Sequence, residues 1–407
     1  MPTDSEFNPM RSMPAALRDG SWANPERIRV YSTILLILEV LVMAFCVAGA
    51  HGLIVPLARP ASTDFVSFHA AGSLAVNGTA PLVYDRQAHY AAEQAMTENG
   101  IPYNFFYYPP VFLLICAVLG RLPYMVAFFA FQAVTCASCV LAVRRILPNI
   151  SVRCLAAFPA VFWTWGTGQN AFLSASLFAG GTIAVDRYPV LAGMAFGALC
   201  YKPHLGLLIP VALAAGGHWR AFASAGLTAA ALILSSGLLF GWDTWAAFFA
   251  AAANAGSVYG AQAIDMAGLS SPYGAILVWG GSLTMACAVQ AAAALAVAAC
   301  VATAWRHGRS LPVRAALLTA GTPVAVPVLL FYDLMLDGIA IAWLIAAGRA
   351  HGFPPWQKTL LTLLFVMPML SGNLNSHSKL LIAPSAAALG FALALAQAHH
   401  EWRRIKR

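Results

Sequence analysis

Charge is what this chain has least of: Asp, Glu, Lys and Arg make up 9% of its 407 residues, while 60% are hydrophobic. A soluble domain carries roughly 25% charged residues, so that class is excluded. The mean hydropathy of +0.73 and the repeated apolar runs of spanning length define an all-α polytopic membrane protein. Cysteine pairs with metal-ligand spacing are lacking too. The eight cysteines lie mostly inside apolar runs, and Cys136-Ala-Ser-Cys139 has no second pair, so neither a zinc site nor a disulfide framework follows. They read as small packing residues. Carboxylates are too scattered to offer a divalent-metal cage, and no internal repeat is apparent.

What charge there is has a pattern. The net charge of +8 comes from basic residues in small groups between apolar runs, which is the signature of membrane orientation and not of a basic face for nucleic acid. Residues 1–29 are polar and rich in Pro and Arg, and are expected to be a disordered cytoplasmic tail, not a cleaved signal. Residues 30–397 read as one transmembrane domain with a first external loop at 51–122, followed by a basic cytoplasmic tail at 398–407. Residues 31–50 make the first crossing and 124–143 the second. Further crossings fall near 152–165, 170–185, 189–201, 205–215, 219–240, 283–305, 311–329, 332–347, 356–370 and 380–397. That makes about twelve crossings of the cell's inner (cytoplasmic) membrane, with both termini cytoplasmic. Of the 23 Lys and Arg residues, only Arg59, Arg86, Arg121, Lys202 and Lys379 then fall outside. Letting residues 110–120 span as well would place most of the basic residues outside, against the orientation rule. Residues 242–259 read as a second external segment resting on the membrane surface.

The longest interval between apolar runs, residues 62–110, holds Asp64, Asp85, Glu93 and Glu98 in this charge-poor chain. Thr63 or Asp64 can cap a short interfacial helix that ends at Asn77-Gly78. A second helix is expected from Asp85 toward Gly100, with Pro102 beyond it. A third begins at Tyr108-Pro109-Pro110 and stops at Gly120, too short to cross about 30 Å of hydrocarbon. These are juxtamembrane helices.

The topology gathers polar groups on the external side: Asp64, His69 and Asp85; Gly168-Gln169-Asn170; Lys202-Pro203-His204; Tyr332-Asp333; and Asn373 to Lys379, including His377. A carboxylate backed by a cation and amides at helix ends suits group transfer from an anionic lipid.

The order Asp64-Phe-x-x-Phe-His-Ala-Ala, Asn77-Gly, Pro81-Leu-Val-Tyr-Asp85, Tyr108-Pro-Pro-Val-Phe, Leu122-Pro123, Gly168-Gln-Asn, Lys202-Pro-His and Tyr332-Asp-Leu resembles glycosyltransferase family 87. The resemblance runs over residues 30–397. It implies a GT-C-like membrane enzyme that takes a sugar, above all mannose, from a polyprenyl-phosphate donor to a lipid or glycan acceptor. His69 stands where the family usually has an aromatic residue, and His204 where Gln is common. The family's catalytic carboxylate maps onto Asp64, which would act as general base on the acceptor hydroxyl. Lys202, helped by His204, Asn170 and His377, would receive the donor phosphate. His69, Gln169, Asp85 and Tyr108 complete the expected substrate contacts. Transfer is expected to be inverting, with no cofactor and no metal.

Plainer roles compete for the same residues. Asp64 and Asp85 can be helix caps, Lys202 an interfacial cation, and Tyr108-Pro-Pro a helix start. Glu39, in mid-helix, and Asp337, four residues after Asp333, can be structural. The rival function is a transporter or lipid flippase, which would show repeats and charges near the bilayer midplane.

Overall fold

The structure is a computed structural model that describes residues 15–49, 64–96, 103–260, 268–371 and 381–406. Among these residues the elements are helices, with one isolated bridge between Leu269 and Leu330. Among the described residues five helices are long and apolar enough to cross a membrane: Tyr124–Ile146, Trp219–Phe240, Leu283–Arg306, Phe331–His351 and Ile382–Arg404. The chain is therefore an all-helical membrane protein. The expected first crossing falls on the helix Pro25–Gly49. Other expected crossings are shorter or broken apolar helices, among them Ala171–Ala184, Pro189–Tyr201, Pro203–Ala215 and Gln357–Leu370. The segment expected at 152–165 is two pieces, Val152–Ala156 and Pro159–Thr167, because Pro159 starts a new helix.

Of the expected free tail, residues 1–14 lie outside the described residues, and residues 15–29 are ordered. Residues 15–19 are helical. Trp22 Nε1 donates to Thr359 Oγ1 at 2.7 Å, and the Trp356 amide donates to the Arg18 carbonyl at 2.6 Å. A tryptophan and backbone pairing anchor this segment to the bundle where composition alone pointed to disorder.

The three expected juxtamembrane elements are present. Phe65–Val76 is the first, Arg86–Gln94 the second, and Pro110–Phe112 leads into Leu113–Leu119 as the third. The first and third cross in backbone contact. A Cβ on Gly72 would lie 1.9 Å from the Cys116 carbonyl oxygen, and one on Gly120 would lie 2.4 Å from the Gly72 carbonyl carbon. Only glycine fits at both points.

Around this crossing the helix Phe65–Val76 buries its aromatic face. Phe65 meets Tyr124 and Phe128 with ring centroids at 5.5 and 5.3 Å, and Phe68 meets Phe112 at 5.1 Å, all edge to face. Each such pair contributes about 0.5–1.5 kcal/mol beyond the area it buries. The residue at the head of this helix, Asp64, is fixed by that packing. The helix Trp242–Gly260 lies over the same region, with Phe248 against Tyr84 at 5.6 Å.

Phe65 packs on Tyr124 at the first turn of a 23-residue helix. Arg144 and Arg145 in its last turn therefore lie about 30 Å from Asp64, at 1.5 Å per residue. Near that far end Arg314 grips Asp186 through Nη2 at 3.0 and 2.7 Å, and its guanidinium stands 5.1 Å over the Trp305 ring. The bundle thus has an acidic, aromatic end around Asp64 and a basic end opposite.

Candidate active site

Asp64, Gln169, Lys202, His204, Asp333 and Tyr108 line one cavity of about 280 Å³. The other residues of its wall are Ser67 and Phe68, residues of the non-helical segment Tyr103–Pro109, Tyr201, Pro203, and Val328, Leu330 and Tyr332. A second cavity, of about 240 Å³, lies between Val143, Phe158, Met335 and Phe365; Cys136, Cys139 and Cys154 are the thiols in its otherwise largely apolar wall, which holds no carboxylate, amine or hydroxyl.

Asp64 stands at the start of its helix, yet it does not cap it. Its backbone is already helical, at φ −59° and ψ −16°, and its side chain makes no capping bond. The carboxylate turns away and accepts a 2.6 Å hydrogen bond at Oδ2 from Gln169 Nε2. Burial pushes its pKa above the ordinary carboxylate range, and the Gln169 hydrogen bond opposes this. The outcome is a more basic carboxylate held in one orientation.

Gln169 is presented by a helix end that the sequence dictates. Gly168 adopts φ +70° and closes Pro159–Thr167, with the amides of Gly168 and Gln169 donating to the carbonyls of Trp165 and Thr164. A Cβ on Gly168 would lie 2.6 Å from the Phe65 Cβ, so this turn packs directly on the helix that carries Asp64. Gln132 Nε2 donates to the Gln169 carbonyl at 3.0 Å and fixes the turn from the Tyr124–Ile146 helix. The Tyr108 hydroxyl donates to Gln169 Oε1 at 3.3 Å, and burial holds that hydroxyl protonated.

Lys202 sits in the break between the helical turns Leu199–Tyr201 and Pro203–Gly206. Pro203 cannot supply the amide that would continue the helix and excludes the helical conformation at Lys202, whose backbone is at φ −135° and ψ 67°. The ammonium is buried and donates to both oxygens of Asp333 at 2.6 and 2.7 Å and to Asn170 Oδ1 at 3.3 Å. It also stands 5.2 Å over the Tyr332 ring. Tyr201 Oη and Ser174 Oγ, 2.7 Å apart, brace the preceding turn.

Of the residues expected at the site, Asp64, Gln169, Tyr108, Lys202 and His204 line the cavity, and Asn170 supports it by holding Lys202. Two expected substrate contacts have other roles. Asp85 caps Arg86–Gln94, accepting from the Ala88 amide at 2.8 Å. His69 is turned inward, with Nε2 2.9 Å from the Leu122 carbonyl oxygen and Nδ1 2.7 Å from Met96 Sδ. Neither borders the cavity. His377 lies outside the described residues. Glu39 and Asp337 are buried inside helices away from the cavity.

Three features were missed in the sequence reading. Asp333, in the sequence one of several external polar groups, is the ion-pair partner of Lys202. Tyr201 carries no signal beyond its place beside Lys202-Pro203. Tyr103, Asn104, Phe105 and Tyr107 on the cavity rim belong to an aromatic run whose alternation could have been read as an extended strap.

A buried carboxylate and a buried, paired ammonium thus line one cavity of the helical bundle. Residues 106–332 match glycosyltransferase family 87, and the chain belongs to that family. It is a membrane glycosyltransferase. No curated protein and no solved structure matches it.

Proposed function

We propose that the chain transfers mannose from polyprenyl-phosphate-mannose to a hydroxyl of a lipid or glycan acceptor, with inversion, on the external side of the cytoplasmic membrane. The observation that carries this reading is that Asp64 and Lys202 line the same cavity and are each held by one of two adjacent amides, Gln169 and Asn170.

The reaction follows from those groups. The acceptor oxygen attacks the anomeric carbon while its proton passes to a carboxylate oxygen of Asp64. The bond from that carbon to the phosphate oxygen breaks, and the electron pair leaves with the polyprenyl phosphate. Lys202 donates to the phosphate as its negative charge grows, with Asn170 and His204 beside it. A single displacement inverts the anomeric centre. In the resting site Asp333 holds Lys202 bidentately, so the ammonium is aimed before the donor arrives and shares its three donors with the incoming phosphate.

The topology of about twelve crossings with both termini cytoplasmic, in a GT-C-like arrangement, fits the same reading. It puts the basic end of the bundle inside and the Asp64 end outside. The lipid chain of the donor supplies about 0.8 kcal/mol of binding per buried methylene, which a nucleotide sugar lacks. In proteoliposomes, polyprenyl-phosphate-mannose should support transfer and GDP-mannose should not. Efficient transfer from GDP-mannose with no lipid carrier present would refute the proposal.

A further inference from the structure

At the basic end of the bundle, remote from Asp64, three helices leave a groove between them. They are Leu283–Arg306, Leu311–Ala325 and Ile382–Ile405, and the groove holds about 480 Å³. Ala299, Leu317, Leu395 and Ala398 give it an apolar floor. The one hydroxyl in its wall, that of Thr303, is turned back to the Ala299 carbonyl of its own helix at 2.7 Å. Toward the helix ends the wall changes in kind, and Arg309, His399 and Trp402 stand there.

The local sequence places Arg309 and leaves its charge unmatched. Gly308 takes φ +59° just beyond the long helix, and the Arg309 amide donates to the Ala304 carbonyl at 3.3 Å, which closes that helix end. The next residue, Ser310, donates to the buried Glu401 from its amide at 2.9 Å and from its hydroxyl at 2.5 Å, and His351 Nε2 lies 3.3 Å from the same carboxylate. The acid on the neighbouring helix is thus already engaged. Among the described residues Arg309 pairs with no carboxylate. Trp402 is 37% exposed, with the His399 ring stacked on it at 5.9 Å and the Lys406 ammonium 4.1 Å over it.

We propose that this groove binds an anionic phospholipid of the bilayer, with an acyl chain on the apolar floor and the phosphate against Arg309. The site stands apart from the chemistry, since it shares no residue with the Asp64 cavity. Each part of the groove meets one part of such a molecule. The floor takes methylenes, and the forked N–H donors of a guanidinium fit two phosphate oxygens. An exposed Trp settles at headgroup level, and Lys406 above it adds a second cation for a headgroup of net negative charge. A zwitterionic headgroup brings a cation of its own to the same place and gains less. A second copy of this chain is the competing occupant. A two-fold contact through the groove would set Arg309 and Lys406 close to their own counterparts, and like charges brought together at an interface are unfavourable.

The test uses the full-length protein in nanodiscs of equal parts phosphatidylglycerol and phosphatidylcholine, with the lipid that stays bound on release counted by native mass spectrometry. The parent should retain phosphatidylglycerol in preference to phosphatidylcholine. Arg309→Gln should lower that preference about tenfold, the order of one lost charged hydrogen bond, whereas Arg309→Lys keeps the charge and should keep most of the preference. Ala398→Trp fills the floor and should cut retention of both lipids. Arg145→Gln removes an exposed cation at the same end but outside the groove, and should change nothing. Equal retention of the two lipids by the parent would overturn the proposal. So would a preference that survives Arg309→Gln, or one that Arg145→Gln lowers as far, since the latter describes a diffuse basic face. A dimer that Ala398→Trp separates into monomers would give the groove to a second copy and overturn the proposal as well.

Discussion

Gln169 and Asn170 are neighbours in the chain, yet they serve opposite charges. Gln169 Nε2 donates to Asp64 at 2.6 Å, whereas Asn170 Oδ1 accepts at 3.3 Å from Lys202, the partner of Asp333. One tight turn at Gly168 thereby sets the orientation of both the base and the cation. Removing either amide should disturb one half of the reaction and leave the other.

For the base, Asp64→Asn should lower turnover by about two to four orders of magnitude, the usual contribution of a general base, with donor binding retained. Near-normal turnover in the purified variant would remove Asp64 from the mechanism. Gln169→Leu should act through pH. Burial already raises the Asp64 pKa and the Gln169 hydrogen bond lowers it, so losing that bond raises it further. The base works only when deprotonated, so the acidic limb of kcat should move to higher pH in Gln169→Leu. A limb that stays in place would show that Gln169 does not tune Asp64.

Lys202 should be judged together with Asp333. Lys202→Ala leaves a buried carboxylate without its cation, and breaking such a pair costs about 3–5 kcal/mol. Loss of activity in that variant alone would therefore mix folding with function. The double variant Lys202→Met/Asp333→Asn removes both charges and should recover the melting temperature while remaining inactive. Recovery of turnover along with stability would show that the ammonium is structural only.

The pair His89 and Glu93, both buried, makes a stability prediction. Burial raises the Glu93 pKa from 4.5 to about 8, with the Asn104 amide opposing, and lowers that of His89 from 6.5 to about 4. The Glu93 contribution is complete below pH 4.5 and is lost as pH rises through about 8. The His89 contribution is present above pH 6.5 and is lost as pH falls through about 4. Between pH 6.5 and 8 only Glu93 of this pair is titrating, so the melting temperature should fall as pH rises. Glu93→Gln keeps an acceptor for Asn104 and should flatten that slope. An equal slope in both proteins would count against the assignment.

Orientation can be read chemically. In a background lacking Cys287, which is exposed, Asn77→Cys should react with an impermeant thiol reagent added outside intact cells. His307→Cys, exposed near the basic end, should react only after the membrane is opened. The reverse pattern would invert the topology.

The sequence located the loop that carries the acid, the short helix from Pro110 and the break at Lys202-Pro203, because Pro, Gly and hydropathy act locally. It left the roles of Asp64 and Asp85 open, since both precede a helix and both are competent caps. The difference is made by Gln169, 105 positions from Asp64, while Asp85 finds its partner three residues away. Lys202 and Asp333 are 131 positions apart, and nothing near Lys202 announces that its charge is already matched. His69 misled for the same reason: its partners, the Leu122 carbonyl and Met96, are set by tertiary packing.

The glycine contact between Gly72 and Gly120 leaves no side chain there that could yield. Two helices touching through backbone atoms cannot slide or rotate past each other without collision, because such packing is not continuously deformable. The wall bearing Asp64 is in that sense a fixed jaw. Any widening of the cavity then falls to the wall that carries Lys202, where the chain is interrupted at Lys202-Pro203 and turns again at Phe331–Leu334.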